Sequence, residues 1–236
     1  MSIIDRSSAR LGFWAALGAA FCFAIFTICF VLLAIGRPLF LWTDLTAYID
    51  FIRAYPSPLA DIARLSMVVF AVLFVILVNS IYELAAPERK SMARLALCFS
   101  IAFAVLSSAH YFIQISAVRI SIERDAFAGL EQVIQANPYS AVAAMNMLGW
   151  TVFLGLASLF AASVFQGGGS AMVLRVAFIA NGVVCLIGGV GYVLGDTLVV
   201  FVTMNFLLGA AMFVITFALG HHFWQILAHH PHHVNS

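Results

Sequence analysis

Residues 11–35 read LGFWAALGAAFCFAIFTICFVLLAI, without one charged side chain. A helix needs roughly 20 apolar residues to cross a hydrocarbon core about 30 Å thick, so this stretch is long enough to span a membrane. Arg6 and Arg10 precede it, as basic residues precede a secretory signal, but a cleavable signal has an apolar stretch of only about 7–15 residues and a small-residue cleavage site. This stretch is longer, and no such site follows it. We therefore predict a retained first transmembrane helix.

Further apolar stretches follow, separated by short segments that carry the charges. They cover approximately residues 62–81, 95–118, 141–165, 172–194 and 198–219. Hydrophobic residues make up 64% of the 236 and charged residues only 9%, and the mean hydropathy is +1.08. A soluble globular protein has roughly a quarter of its residues charged, because its whole surface faces water. The sequence therefore predicts an all-α, polytopic membrane protein, with six transmembrane helices in a single bundle over residues 1–236 and a histidine-rich tail at 220–236.

The two longest connections carry helical patterns of their own. In residues 37–58 the apolar positions share one helical face: Leu45, Tyr48, Ile49 and Ile52. In residues 121–138 they do so again: Phe127, Leu130, Val133 and Ile134. Thr43 or Asp44 is suited to cap the start of the first segment, and Pro56 ends it. We predict two short amphipathic helices that lie in the membrane interface or cap the bundle, with plain structured loops as the alternative.

The positive charges give a small preference for one orientation. With the N-terminus inside, six of the eleven Lys and Arg residues lie on the inner side and five on the outer side. The compact segment with Arg89, Lys90 and Arg94 decides the choice, because short loops with clustered positive charge stay cytoplasmic. We predict a multi-pass protein of the plasma (inner) membrane with both termini in the cytoplasm and the two amphipathic connections outside.

Polar residues inside the spans are the first place to look for function, because they are costly in lipid. In the third span, Ser107, His110, Tyr111 and Gln114 follow the i, i+3, i+4, i+7 pattern of one helical face. Helical rise places His110 roughly 8–12 Å below the outer boundary, at the depth of an asparagine in each of two other spans. The sequence predicts a ligand-binding pocket in the outer half of the bundle, formed by His110, Tyr111, Gln114, Asn146, Trp150, Tyr192 and Asn205. The alternative is that these side chains only hydrogen-bond one helix to another.

A second group of histidines lies near the C-terminus: His221, His222, His229, His230, His232 and His233. The tail residues His229, His230, His232 and His233 are a weak candidate for binding a transition metal, with a solvated, non-specific tail as the alternative. Helical rise separates the level of His221 and His222 from that of His110 by roughly 20 Å, so these histidines cannot share one ion. We therefore predict no intramembrane metal site.

Several functional classes lack the residues that they need. A bis-histidine haem needs two facing histidines within the membrane, and only His110 lies at such a depth. A retinal protein needs a lysine within a span, but the only lysine, Lys90, lies in a connection. A proton pump usually uses carboxylates in the middle of the membrane, whereas Asp61 and Glu83 lie near span ends. We therefore expect no cofactor, and the net charge of +1 without a basic stripe gives no reason to expect nucleic acid.

Three functional hypotheses remain. The first is a non-catalytic membrane protein that binds a lipid or a small apolar molecule, or that serves as an accessory subunit. The second is a small transporter or channel, which the asparagines within the spans would line. The third is an intramembrane enzyme that uses His110 as a general base. It is the weakest, because no oriented partner accompanies the histidine. The expected partners are the lipid bilayer, the lipid or apolar ligand, and a second copy or another membrane subunit.

Overall fold

The computed structural model describes residues 3–228, and their side chains from Arg6 onward. Every regular element in that range is a helix. The helices are α1 (Ile3–Gly36), α2 (Leu45–Ala54), α3 (Pro58–Leu84), α4 (Pro87–Glu123), α5 (Ala141–Ala162), α6 (Ser170–Leu194) and α7 (Thr197–Ala228). The tail histidines His229, His230, His232 and His233 lie outside the described residues.

Six of these helices, all except α2, are long and apolar enough to cross a membrane. This confirms the predicted all-α fold with six candidate spans. Five of the six spans extend beyond the predicted apolar stretches, and α7 continues past residue 219 through His221 and His222 to Ala228, whereas α5 ends at Ala162, before the predicted residue 165. Hydropathy detects only the part of a helix that lies in hydrocarbon, whereas backbone hydrogen bonds carry the helix on into the interface.

The six spans form a closed ring in chain order. Each span packs against the one before it, and α7 returns to pack against α1. Large buried side chains from different spans fill the space between them, among them Phe23, Phe70, Phe103, Trp150, Phe178 and Met212. The interior of the ring is therefore a packed core.

The first predicted amphipathic helix is confirmed as α2. The Asp44 carboxylate caps it by accepting a 2.9 Å hydrogen bond from the backbone N–H of Ala47. Tyr48 and Ile49 are buried, as the sequence pattern predicted. Tyr48 packs in a small separate core with Val118, Leu130 and Ile134, so α2 and the connection between α4 and α5 together form one cap over this end of the bundle. We call this end the cap end and the opposite one, where α1 begins and α7 finishes, the terminal end.

The connection between α4 and α5 is less regular than the sequence predicted. Its helix reduces to one 3₁₀ turn at Leu130–Gln132, because Asp125 (φ 54°) and Gly129 (φ 74°) adopt left-handed backbone conformations that interrupt a helix. The apolar pattern still holds, since Leu130 and Ile134 are buried. Side chains supply the backbone partners that a helix would have provided, above all Gln114.

Gln114 fastens the cap to α4 through two hydrogen bonds. Its Nε2 donates to the Val133 carbonyl at 2.7 Å, and its Oε1 accepts from the Gln135 backbone N–H at 2.9 Å. The side chain is 1% exposed, so these bonds replace water that cannot reach the groups. Gln114 therefore has a structural task in addition to its predicted place in the polar stripe.

We expect Gln114→Leu to loosen the cap without unfolding the bundle. Each lost hydrogen bond is worth about 1 kcal/mol, and the two backbone groups stay without partners, so local opening should become at least about tenfold more frequent. Hydrogen exchange at residues 130–137 measures this directly. Gln132→Leu, which changes an exposed side chain in the same connection, is the control and should leave exchange unchanged. Equal exchange in wild type and Gln114→Leu would show that the cap is held by its apolar contacts alone.

Candidate functional site

The polar stripe of α4 is buried and faces α5 and the cap. Ser107, His110, Tyr111 and Gln114 are each at most 5% exposed. His110 Nδ1 lies 3.2 Å from the Val142 carbonyl of α5, and a carbonyl oxygen only accepts, so Nδ1 carries the hydrogen. In the neutral imidazole Nε2 is then an acceptor; the Gln135 side chain lies beside the ring, but Nε2 forms no hydrogen bond of normal geometry.

The facing surface of α5 presents Asn146 and Trp150, one turn apart. The two helices approach closely because Gly149 has no side chain: a Cβ there would lie 3.2 Å from Ser107 Oγ. The Tyr111 hydroxyl lies near both the Asn146 and Trp150 side chains. Asn146 Oδ1 and Trp150 Nε1 nevertheless form no hydrogen bond of normal geometry. The Trp150 ring stacks on Phe70 at a centroid distance of 6.1 Å, which fixes its orientation.

Four buried polar atoms along this interface form no hydrogen bond of normal geometry, although Gln135 lies beside His110 and the Tyr111 hydroxyl lies near Asn146 and Trp150: Ser107 Oγ, His110 Nε2, Asn146 Oδ1 and Trp150 Nε1. Buried polar groups are paired in the great majority of proteins, because an unpaired one costs about 1–3 kcal/mol. The tryptophan N–H donates, the histidine nitrogen and the asparagine oxygen accept, and the serine hydroxyl does both. Together the four atoms offer both donors and acceptors.

Three π-helical segments interrupt the spans in the half of the bundle nearer the cap. They are Gln114–Val118 in α4, Leu148–Phe153 in α5 and Val202–Leu207 in α7. The first begins at the end of the polar stripe, and the second contains Trp150. Such segments are rare in proteins as a whole, but many of those that occur lie at functional sites, because they turn side chains away from the regular helical face. Sequence reasoning missed them, since hydropathy does not distinguish a π turn from an α turn.

Arg64 and Gln135 connect the buried stripe with the surface, and sequence reasoning did not include them. Arg64 Nη1 pairs with Asp61 at 3.1 Å, and its Nε donates to Gln135 Oε1 at 3.4 Å. The Gln135 side chain is exposed on one side and contacts His110 on the other. Gln135 is therefore the side chain that separates His110 from the surface beneath the cap.

Two arginines, Arg37 and Arg64, place positive charge beneath the cap near Gln135. Burial raises the pKa of Tyr48, and the charges of Arg64 and Arg37 oppose the shift. Burial lowers the pKa of Arg37, as does the neighbouring Arg64 charge. The Arg37 guanidinium lies 5.3 Å from the centre of the Phe51 ring, a cation–π contact on α2. Tyr48 thus stays protonated and available as a hydrogen-bond donor over a wide pH range.

The other two residues of the predicted pocket lie elsewhere. The Tyr192 hydroxyl donates to the Pro138 carbonyl at 2.8 Å, and the ring lines a groove of about 500 Å³ between α5 and α6. Asn205 is exposed on α7, and its Nδ2 donates to Phe201 O of the same helix at 3.0 Å. The predicted pocket thus reduces to the residues of α4 and α5. The estimated depths do not fix the rotation of a helix about its axis, and Asn205 lies within a π segment.

Comparison with known proteins gives no match: no protein-family model, no curated protein and no solved structure resembles the chain. The chemistry of the site therefore rests on its own residues. Within residues 3–228, no group of three or more His, Cys, Asp or Glu side chains is placed to hold a metal ion. The candidate site consists of neutral polar side chains enclosed by aromatic rings.

Two serines of α4 allow a test of the unpaired state of Ser107. The Ser100 hydroxyl donates to Leu97 O at 2.8 Å, whereas Ser107 Oγ is buried without a partner. We expect Ser107→Ala to leave the stability of the ligand-free protein unchanged or raise it slightly, because no hydrogen bond is lost. Ser100→Ala should lower it by about 0.5–1.5 kcal/mol. Unfolding titrations in mixed micelles measure both, and a larger loss in Ser107→Ala than in Ser100→Ala would contradict the assignment.

Proposed function

We propose that the protein is a non-catalytic membrane protein that binds a small neutral molecule between α4 and α5, beneath the cap. The observation that carries this proposal is the group of four buried atoms without a hydrogen bond of normal geometry: Ser107 Oγ, His110 Nε2, Asn146 Oδ1 and Trp150 Nε1. A ligand with one hydroxyl or amide group would pair with several of them and remove their cost. The ligand is apolar elsewhere, because Phe70 and Phe103 pack around the Trp150 ring.

On this proposal, the ligand reaches the site between α4 and α5 by passing beneath the cap. Gln135 is exposed and contacts the buried His110, so movement of this one side chain would bring His110 to the surface. The cap is held there by side-chain hydrogen bonds from Gln114 and Arg64, which are exchangeable contacts. A ligand that first partitions into the membrane interface would reach the site without crossing the bundle.

The alternatives have less support. A channel or transporter needs a path through the bundle, whereas Phe70, Phe103 and Phe178 are fully buried in the packed core. An enzyme with His110 as general base needs a partner that orients the imidazole for proton transfer. The partner of His110 Nδ1 is a backbone carbonyl, Val142 O, which orients the ring without activating it as a carboxylate would.

Binding can be followed at Trp150 itself. In a variant with Trp14, Trp42 and Trp224 changed to phenylalanine, we expect 1-decanol to change the remaining fluorescence saturably and decane, which has no polar head, to have no such effect. Asn146→Ala or His110→Ala should weaken decanol binding by about tenfold, the effect of one lost hydrogen bond in a buried site. Asn205→Ala, which removes an exposed asparagine of α7, is the matched control. Equal decanol affinity in Asn146→Ala and Asn205→Ala would overturn the proposal.

We also propose that the cap end faces outward and that both termini are cytoplasmic. At the terminal end, Arg89 and Lys90 lie in the first turn of α4, directly after the short connection from α3, and positive charge clustered between two spans favours the cytoplasm. In a background without native cysteines, we expect a membrane-impermeant maleimide applied to intact cells to label Tyr139→Cys, whose parent side chain is 85% exposed at the cap end. It should not label Gly168→Cys at the terminal end until the cells are opened. The reverse labelling would invert the orientation.

A further inference from the structure

A second cavity lies at the terminal end, far from the polar stripe of α4. Its volume is about 420 Å³, within the range of roughly 300–1,000 Å³ that is typical of ligand pockets. Its apolar walls come from the end of α3, the end of α5 and its following turn, and α7: Ile81, Leu84, Val164, Phe165 and Phe223. Phe165 stacks on Phe178 at 5.8 Å, so this wall is anchored in the bundle core.

The polar part of the same cavity centres on Arg89. Its Nη2 and Nε both donate to the side-chain oxygen of Gln166, Nε at 3.1 Å, with the Gln166 amide turned so that its oxygen faces the guanidinium. None of the salt bridges among the described residues includes Arg89. Gln166 leaves the Nη1 hydrogens and one Nη2 hydrogen of this guanidinium, which has no carboxylate partner, and these are suited to bind an oxyanion through two parallel hydrogen bonds beside the apolar wall.

Among the charged and titratable side chains around the cavity, Arg89 is the one available to bind an oxyanion. Lys90 Nζ donates to the carbonyls of Tyr82 (2.6 Å) and Glu83 (2.8 Å), so it is occupied at the end of α3. His222 lines the cavity, with Nδ1 at 3.3 Å from Ser170 Oγ. Glu88 also lines it but is exposed, so water screens its carboxylate and it opposes an anion only weakly.

We propose that this cavity binds the phosphate group of a membrane phospholipid at Arg89, with the acyl chains along the apolar wall of α3, α5 and α7. Arg89 lies at the start of α4, and the end of a membrane-spanning helix lies near the polar headgroups of the bilayer. The apolar residues below it, Leu84 and Ile81, continue along α3 toward the membrane interior. Basic pockets between spans at such a level are typical sites for phospholipid headgroups.

Native mass spectrometry of the delipidated protein, titrated with defined probes, tests this. Palmitoyl-oleoyl phosphatidylglycerol should bind with one retained copy, whereas palmitoyl-oleoyl glycerol, which lacks the phosphate, should bind at least about tenfold more weakly. Arg89→Gln should weaken phosphatidylglycerol binding by about tenfold, and Arg89→Lys by less, because lysine keeps the charge but not the planar fork. Arg175→Gln, which removes an exposed cation of α6 outside the cavity, is the matched control and should bind as wild type.

Equal retention in Arg89→Gln and Arg175→Gln would overturn the proposal. So would displacement of the lipid by inorganic phosphate at equal concentration, since the site would then take free phosphate and not a lipid. Each variant is first compared with wild type by thermal unfolding in lipid-free detergent. If Arg89→Gln unfolds earlier, Arg89→Lys decides: full lipid retention there would show that any positive charge suffices and would contradict two-point phosphate binding.

Discussion

Phe70→Ala is expected to lower the free energy of unfolding by about 3–5 kcal/mol, the usual loss when a fully buried phenylalanine is truncated. Phe70 is 0% exposed and lies where α1, α3, α4 and α5 meet. Its ring contacts four other aromatic rings: Phe23, Phe74, Phe103 and Trp150. Truncation would leave a cavity among rigid rings that cannot collapse to fill it, so the loss should fall in the upper part of the range.

Unfolding in mixed micelles measures this loss, and Phe112→Ala is the matched control. Phe112 is 61% exposed on the outer face of α4, where lipid or detergent replaces the lost contacts. We expect the control to lie within about 1 kcal/mol of wild type. The core variant should also disturb the candidate site, because Phe70 holds the Trp150 ring by stacking. Similar losses in the two variants would mean that the packed core at Phe70 is not what holds the ring of spans together.

Gly182→Ala should destabilise the protein by about 1–3 kcal/mol, although alanine is the better helix former. A Cβ at Gly182 would lie 2.6 Å from Leu159 Cγ and 2.9 Å from the backbone oxygen of Gly155. The leucine can move, but the backbone oxygen belongs to α5 and can move only with that helix. The substitution therefore pushes α5 and α6 apart along their contact.

Gly36→Ala is the control for helix propensity, because nothing lies within 4 Å of the Cβ that it would add. We expect Gly36→Ala to leave the free energy of unfolding unchanged or raise it slightly, whereas Gly182→Ala should lower it in the same assay. A stable Gly182→Ala protein would contradict the close approach of α5 and α6. Because α5 carries Asn146 and Trp150, the destabilised variant should also bind decanol more weakly at the site beneath the cap.

The sequence alone predicts the spans because one physical requirement, a length of apolar helix that matches the bilayer, decides them. It predicts α2 for a second local reason, the Asp44 cap followed by an apolar face. The left-handed residues Asp125 and Gly129 interrupt the other amphipathic segment, and the periodicity of its apolar residues does not reveal such backbone conformations. The burial of its apolar residues was predictable, whereas the path of its backbone was not.

The candidate site divides in the same way. The α4 stripe follows from helical periodicity, and the closeness of Asn146 follows from depth. Asn205 lies at the predicted depth, but its side chain points away from the interface of α4 and α5, because packing against neighbouring helices sets the rotation of α7 about its axis. Arg64 and Gln135 come together from α3 and the connection between α4 and α5, a tertiary contact with no local pattern.

Native mass spectrometry of the protein extracted in a mild detergent tests directly whether a molecule binds between α4 and α5. The Arg89→Gln background weakens the proposed phospholipid site, so a bound mass that differs from that of a phospholipid reports on the polar interface. We predict one bound organic molecule in this background, and its loss when His110→Ala and Asn146→Ala are added. If neither the Arg89→Gln protein nor the variant with the two added substitutions carries a bound molecule, or if both carry the same one, the proposed binding between α4 and α5 is wrong.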